Sequence, residues 1–380
     1  MKHIFSGGLK IGILGGGQLG KMLLQKAHDL NLHIEILDPS ETAPCRYLCH
    51  RFVQGSLTDF DTVYNFGKGL DVISIEIENV NTDALMALEN EGKKVFPQPS
   101  VLKTIQDKGL QKQFYRQHDI ATAPFALINN KSEIPGADID FPVFQKLRVA
   151  GYDGYGVQAL AGKDQLDKAF DAPSVLEKSI EMDQELSVIV ARNARGEMNH
   201  FPPVAMAFNP EVNMVEYLYA PAGISTELEN RAVTLAKKVI EKLDMVGLLA
   251  VEMFLSKSGE LLVNEVAPRP HNSGHQTIEG NVTSQFEQHL RAILDLPLGD
   301  TSMIRPSVMV NLLGEAGYKG KAVYQGVEEI LKMKGVHVHL YGKYETRPFR
   351  KMGHVTIVAG SLEEAKDKAK IVKNTLKVIA

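Results

Sequence analysis

An apolar run at Lys10–Leu14 leads straight into GGGQLG and then into apolar residues at Leu19, Met22, Leu23, Ala27 and Leu30. Strand, glycine turn and amphipathic helix in that order open a parallel βαβ unit. The pattern recurs. A second apolar strand, His33–Leu37, ends in Asp38-Pro39, and a third, Asp71–Ile77, ends in the acidic pair Glu76 and Glu78. An α/β domain is therefore expected, closing near residue 100 at the proline-rich KVFPQPS. Beyond it, Val101–His118 reads as a helix, and Phe141–Gln145 and Ser174–Glu177 as strands flanking the glycine loop AGYDGYG of a small lid over 120–180. Thr226–Leu243 reads as a helix opened by a Thr226/Glu229 capping box and packed behind the next strands. The C-terminal part reads as short strands at Val308–Leu312, Val336–Tyr341 and Val355–Ala359 and a helix at Ser361–Leu376.

At 380 residues the chain is long enough for two or three domains. Its formal charge of −4 gives no global basic field, so nucleic acid is not expected as a partner and any anion site must be local. Cys45 and Cys49 lack a second pair with metal-site spacing and read as free thiols of a reducing cytoplasm. Ile11–Leu14 is too short for a signal sequence, and no apolar run approaches the ~18 residues that span a bilayer, so a cytoplasmic protein with no membrane partner is expected.

The densest cluster of polar chemistry is VNEVAPRPHNSGH, residues 263–275. Before it, Val246–Leu255 reads as a strand with one acid, Glu252, and Glu260–Val266 as a strand carrying Asn264 and Glu265. Antiparallel pairing brings the acids together. Side-by-side carboxylates repel unless a cation lies between them, and hard oxygen ligands suit Mg²⁺. Gly15-x-Gly17-x-x-Gly20 matches the dinucleotide fingerprint, with Glu35 and Asp38 near the place of a ribose-binding acid and Gln18 able to donate. Its amides can approach a phosphate of NAD, of a nucleotide or of a sugar. The loop at Ala150–Gly156, with Lys146 before it and Lys108 as a further cation, reads as a second cradle, closing over a triphosphate. Glu177-Lys178-Ser179-Ile180 reads as the hinge that takes adenine through its backbone, and YGKYETRPFRK supplies Lys343 and Arg350 as a clamp for a substrate phosphate.

GGGQLGKM at 15–22, EIENV at 76–80, QDKGLQKQF at 106–114, GYDGYG at 151–156, ELSVIVARN at 185–193, NEVAPRPHNSGH at 264–275 and RPFRKMGH at 347–354 together resemble the N5-carboxyaminoimidazole ribonucleotide synthetases of the ATP-grasp superfamily. The resemblance implies an ATP-grasp fold. Residues 1–100 would form a Rossmann-like domain, 101–185 linker helices and lid, 186–304 the metal-binding catalytic part, and 305–380 a small β-rich domain completing the substrate site. It implies an ATP-dependent ligase of purine biosynthesis: ATP and bicarbonate give carboxyphosphate, which carboxylates 5-aminoimidazole ribonucleotide. Glu252 and Glu265 would hold two Mg²⁺ ions. Lys108, Lys146 and the loop Gly151, Tyr152, Asp153, Gly154, Tyr155, Gly156 and Val157 would hold ATP phosphates, with Asn264 beside them. Glu177, Lys178, Ser179 and Ile180 would line the adenine pocket and Glu185 would accept from the ribose. Arg269, His271 and Asp153 would be catalytic. Gly17, Gln18, Leu19, Glu78, Tyr152, Arg192, Asn272, Ser273, Lys343 and Arg350 would surround the ribonucleotide, and the chain would form a homodimer. Ala150, Tyr155, Val157 and Phe208 depart from the family's usual residues in the lid. The alternatives are another ATP-grasp ligase, such as a formate-dependent glycinamide ribonucleotide transformylase or a biotin carboxylase, and an NAD-dependent dehydrogenase.

Overall fold

The computed structural model describes residues 4–6, 8–149, 151, 155–209 and 214–380, with backbone only for Ser6, Phe208, Asn209, Met214, Val215 and Glu216. The first hundred residues form a five-stranded parallel sheet in the order Arg51–Gln54, His33–Asp38, Lys10–Leu14, Val72–Ile75, Lys94–Val95. Ile11, Ile13, Ile34 and Ile36 are completely buried, as continuous apolar strands are when helices cover both faces. The third strand stops at Ile75, two residues short of the expected Ile77, because Glu76 leaves the sheet to meet the glycine turn.

Residues 101–118 are two helices, not one. Asp107 interrupts them in an extended conformation, and its carboxylate accepts from the amides of Gly109 and Leu110 to start the helix Lys108–Gln117. The lid is an antiparallel sheet in the order Phe125–Ile128, Ser174–Lys178, Val143–Leu147, Val157–Leu160.

A nine-stranded antiparallel sheet makes up the rest of the framework. It runs from Leu261–Ala267 through Gly247–Ser256 and Met182–Arg192 to Val204–Asn209 and Met214–Ala220, and continues into Ser307–Leu313, Lys351–Val358 and Val336–Leu340. Met198–His200 pairs with Met182–Arg192 at its side. The acid-bearing strands and the C-terminal strands thus share one sheet. Helix Thr226–Lys242 packs behind it through Ala232, Ala236, Val239 and Ile240 against Leu249, Val251 and Val263. Each large aliphatic so buried stabilises by about 1.5–3 kcal/mol. Its cap is Ser225, which accepts from the Leu228 amide at 3.2 Å, one residue before the expected Thr226.

The two ends of the chain meet. Tyr341 is buried in the core of the first domain beside Met22 and Leu23, and the Lys21 ammonium donates to the Leu340 carbonyl at 2.8 Å. Among the described residues no helix is long and apolar enough to cross a membrane.

Candidate active site

The two acid-bearing strands pair antiparallel with Glu252 directly opposite Glu265. Ser187 of the neighbouring strand stands opposite Glu252, and Glu185 lies two residues along on the same face. Three carboxyls therefore share one floor. Their affinities for protons separate accordingly. The Lys108 ammonium, 2.8 Å away, outweighs burial and holds Glu265 down at about 2. Burial and the charges of Glu265 and Glu185 push Glu252 well up, and burial with the Glu265 charge pushes Glu185 up to about 8.

A floor on which one acid is forced to keep its proton by another is a floor short of positive charge, which fits a divalent cation. Among the described residues no group of three or more His, Cys, Asp or Glu forms a ready-made metal cage. Mg²⁺ asks for less, one or two carboxylates with the remaining positions on water and phosphate. Glu252 and Glu265 are the two carboxylates placed so that they could fill that role.

Over this floor stand the lid cations. Lys146, on Val143–Leu147, reaches Glu177 and the Asn264 side-chain oxygen at 3.0 Å each, tying the lid to the acid strands. The other oxygen of Glu177 lies 3.4 Å from Lys112, whose side chain is 2% exposed and which also donates to Thr122 at 2.5 Å. Burial alone would raise Glu177, but Lys146 and Lys112 more than offset it and its pKa is lowered. Burial dominates at Lys112 and brings its ammonium down to about 8. At the hinge, the amides of Lys178 and Ser179 are taken by the carbonyls of Pro124 and Pro142, and the Lys178 side chain turns to Asp140 at 3.6 Å. Ile180 is the second residue past the strand. Gly156 has φ +77°, a left-handed turn that lets Val157 re-enter the sheet opposite Lys146, and exposed Tyr155 precedes it. Tyr152, Asp153 and Gly154, together with Ala150, lie outside the described residues, as does the Phe208 side chain.

After the acid strand the chain turns through Arg269–His275. Arg269 pairs with Glu78 of the first domain at 2.8 Å, while its buried Nε has no hydrogen-bond partner among the described residues. The His271 ring nitrogen Nδ1 lies 3.6 Å from Glu252 and 2.9 Å from the Ser273 hydroxyl, which in turn meets Ser187 at 2.7 Å. Because the Ser273 amide also donates to Nδ1, this network assigns the ring proton to Nε2. Asn272 keeps its buried side-chain oxygen without a partner among the described residues.

The glycine turn is built differently from the dinucleotide expectation. The Glu76 carboxylate accepts from the amides of Gly17 and Gly20 at 2.5 Å each, and Asp38 accepts from Gly16 at 2.7 Å. A Cβ on Gly15 or Gly17 would stand 2.4 or 2.6 Å from Glu76. These glycines admit a carboxylate of the chain itself, and the Gly17 amide is not a substrate contact. The first-turn amides left over belong to Gln18 and Leu19. Lys21 of the same helix reaches the Leu340 carbonyl, and in the loop beyond it Lys343 donates to the Lys351 carbonyl at 2.7 Å and Arg350 to the Glu345 carbonyl at 2.6 Å. Arg192 does not join the site. It sits five residues beyond Ser187, about 16 Å along the strand and on the opposite face, and pairs with Asp244 at 2.7 Å.

Residues 9–106 match the ribonucleotide synthetase preATP-grasp domain, 113–286 the ATP-grasp domain and 307–368 the phosphoribosylaminoimidazole carboxylase C-terminal domain. The N5-carboxyaminoimidazole ribonucleotide synthase of Bacillus subtilis (strain 168) is 36% identical over 364 residues, which cover 94% of this chain and 93% of that protein. The chain belongs to the N5-carboxyaminoimidazole ribonucleotide synthase family. Among solved members of this family, the Thermotoga maritima synthetase superposes with a TM-score of 0.91 at 42% identity, covering 98% of this chain and 99% of the other. The Aspergillus clavatus synthase, solved with ADP and 5-aminoimidazole ribonucleotide, superposes at 0.88 with 33% identity, covering 96% and 98%. A phosphoribosylaminoimidazole carboxylase of Candida albicans is 37% identical, and the chain spans 65% of its length.

Within this family site, sequence reasoning missed Glu76, Lys112 and Ser187. Lys112 had a signal: it lies one helical turn from Lys108, on the face that carries buried Gly109 and Tyr115. Ser187 had none, since a serine in an apolar strand declares its neighbour only through register.

Proposed function

We propose that the chain catalyses the ATP- and bicarbonate-dependent carboxylation of 5-aminoimidazole ribonucleotide to N5-carboxyaminoimidazole ribonucleotide, releasing ADP and phosphate, in purine biosynthesis. The observation that carries this assignment is the opposed pair Glu252 and Glu265 between lid lysines and the Arg269–Ser273 turn. Bound there, two Mg²⁺ ions supply charge neutralisation of the phosphates. Lys108 and Lys146 hold the phosphates, the Lys178–Ile180 hinge takes the adenine, and Glu185 accepts from the ribose hydroxyls. Arg269 and the Nε2 proton of His271 hold bicarbonate and then the acyl phosphate, with lid closure excluding the water that would destroy it. The ribonucleotide phosphate docks between the Gln18 and Leu19 amides and Lys343 and Arg350, with Glu78, Asn272 and Ser273 along its length. The enzyme works as a cytoplasmic homodimer.

The test is phosphate release from ATP in bicarbonate, with 5-aminoimidazole ribonucleotide, glycinamide ribonucleotide and biotin offered in turn. Release and carboxylated product are expected with the first alone. Turnover with either of the others assigns a different ATP-grasp ligase.

A further inference from the structure

The first residue of helix Gln285–Ile293 reaches back to the polar turn in an unusual way. Gln285 is completely buried, and its side-chain amide makes both hydrogen bonds of a neighbouring strand to a single residue: Oε1 accepts from the His271 amide at 2.8 Å and Nε2 donates to the His271 carbonyl at 2.7 Å. These two backbone partners fix which end of the Gln285 amide is oxygen and which is nitrogen. Nε2 also lies 3.1 Å from Nδ1 of His275, and the Gln285 backbone N–H donates to the Thr277 hydroxyl, which donates to the Gly274 carbonyl. Gly274 is the residue that permits this approach. A Cβ there would stand 2.5 Å from Oε1 of Gln285.

The consequence falls on the His271 ring. Its Nδ1 is turned to Ser273 and its backbone is held at both N–H and C=O, so the ring's position relative to Glu252 is fixed by a residue that touches neither. We propose that Gln285 is a positioning residue for the carboxylation step: it clamps the His271 backbone so that the imidazole meets bicarbonate and the acyl phosphate in one orientation. This rests on the assignment of His271 to those groups. Without the clamp the ring swings, the acyl phosphate is held less well, and it is lost to water before the amine attacks. ATP cleavage and carboxylation then come apart.

The experiment measures phosphate released and carboxylated product formed, in parallel, for Gln285→Met, Gln285→Glu, His271→Ala and the parent. Gln285→Met keeps the volume and removes both hydrogen bonds. It is expected to lower kcat by about tenfold or more, to leave the KM for ATP within about twofold, and to raise phosphate per product above about two. A purely structural role would lower both products in proportion. Gln285→Glu adds a pH signature: a buried, protonated carboxyl can accept from the His271 amide and donate to its carbonyl, whereas the ionised form repels that carbonyl. Its rate relative to the parent is therefore expected to fall as pH rises. Parental kcat and stoichiometry in Gln285→Met, alongside an impaired His271→Ala, overturn the proposal. A fully active His271→Ala instead overturns the role of His271. If neither Gln285 variant still binds ADP, Gln285 supports the fold and the proposal is also overturned.

Discussion

The claim that the fingerprint glycines admit a carboxylate of the chain itself can be tested by a double-mutant cycle. Gly17→Ala puts a Cβ 2.6 Å from Oε1 of Glu76, well inside contact distance, so the carboxylate must leave its seat on the Gly17 and Gly20 amides. Two bonds to a charged acceptor total roughly 3–6 kcal/mol. Partial reseating of Glu76 limits the loss to the range of a forced core insertion, about 1–3 kcal/mol. Glu76→Ala leaves the same two amides without that acceptor, at a similar cost of about 2 kcal/mol because water can reach a helix start. In the double variant the methyl occupies space the carboxylate has vacated. The pair should therefore cost about 2 kcal/mol rather than about 4, a coupling within the range known for contacting residues. A single unfolding free energy is not defined for a chain with several domains, so the measurement is hydrogen exchange across helix Gln18–Asp29, which reports local opening. Additive losses would show that the methyl meets something other than Glu76, and the phosphate explanation of the glycines would return.

Glu265→Gln should keep the fold and lower kcat by roughly 100-fold or more, measured as product formation in saturating substrates; a rate within about twofold of the parent removes Glu265 from the metal floor. Lys112→Met strips a buried partner from Glu177 and should cost about 3 kcal/mol of local stability, read by hydrogen exchange across helix Lys108–Gln117, much of it recovered in Lys112→Met/Glu177→Gln, which removes the buried carboxylate and leaves Lys146 its bond to Asn264. Mg²⁺ must displace a proton from Glu252, whose pKa is raised by burial and by Glu265 and Glu185. Rising pH removes that competitor, so the Kd for Mg²⁺ in the ADP complex should fall by up to about tenfold per pH unit until Glu252 is ionised, and a flat titration would show that the metal binds elsewhere. Arg350→Ala should raise the KM for the ribonucleotide by the equivalent of about 1.5–3 kcal/mol and leave the KM for ATP nearly unchanged, with Arg350→Lys recovering only part; an equal effect on both substrates makes the loop a solvated face.

What the sequence could reveal follows the range of the interaction. Glu252 opposite Glu265 was legible because both lie on consecutive apolar strands, and a short connection between such strands forces antiparallel pairing. The break of the linker helices at Asp107 was not, although an Asp before Lys108-Gly109 is a good cap: the surrounding lysines and glutamines continue a helical pattern straight through it. Arg192 was misplaced because nothing in ELSVIVARN says which of its residues faces the acids. Only the register with Gly247–Ser256 puts Ser187 there and Arg192 at the far end. Lys112's signal, its place on the buried face of a polar helix, did not name its partner, since Glu177 comes from the lid sheet.

The glycine turn carries the same lesson further, because the chain places its own anions at several cationic or donor-rich points of the site, and they are not equivalent. Glu76 is held by two backbone amides that cannot move away, inside walls where neither Gly15 nor Gly17 leaves room for a Cβ. A phosphate could not enter there without unfolding the turn. Glu265 is held by the flexible Lys108 side chain and keeps 47% of its own side chain exposed, whereas Lys146 and Glu177 form a buried pair in the lid. Side-chain pairs at a cleft can exchange one anion for another at little cost, because each partner keeps a counter-charge throughout. The distinction between fixed and exchangeable pairs divides the site into permanent scaffold and binding surface. On the proposed function, the nucleotide phosphates would be taken at Lys108, and the ribonucleotide phosphate would be left the Gln18 and Leu19 amides that Glu76 does not occupy.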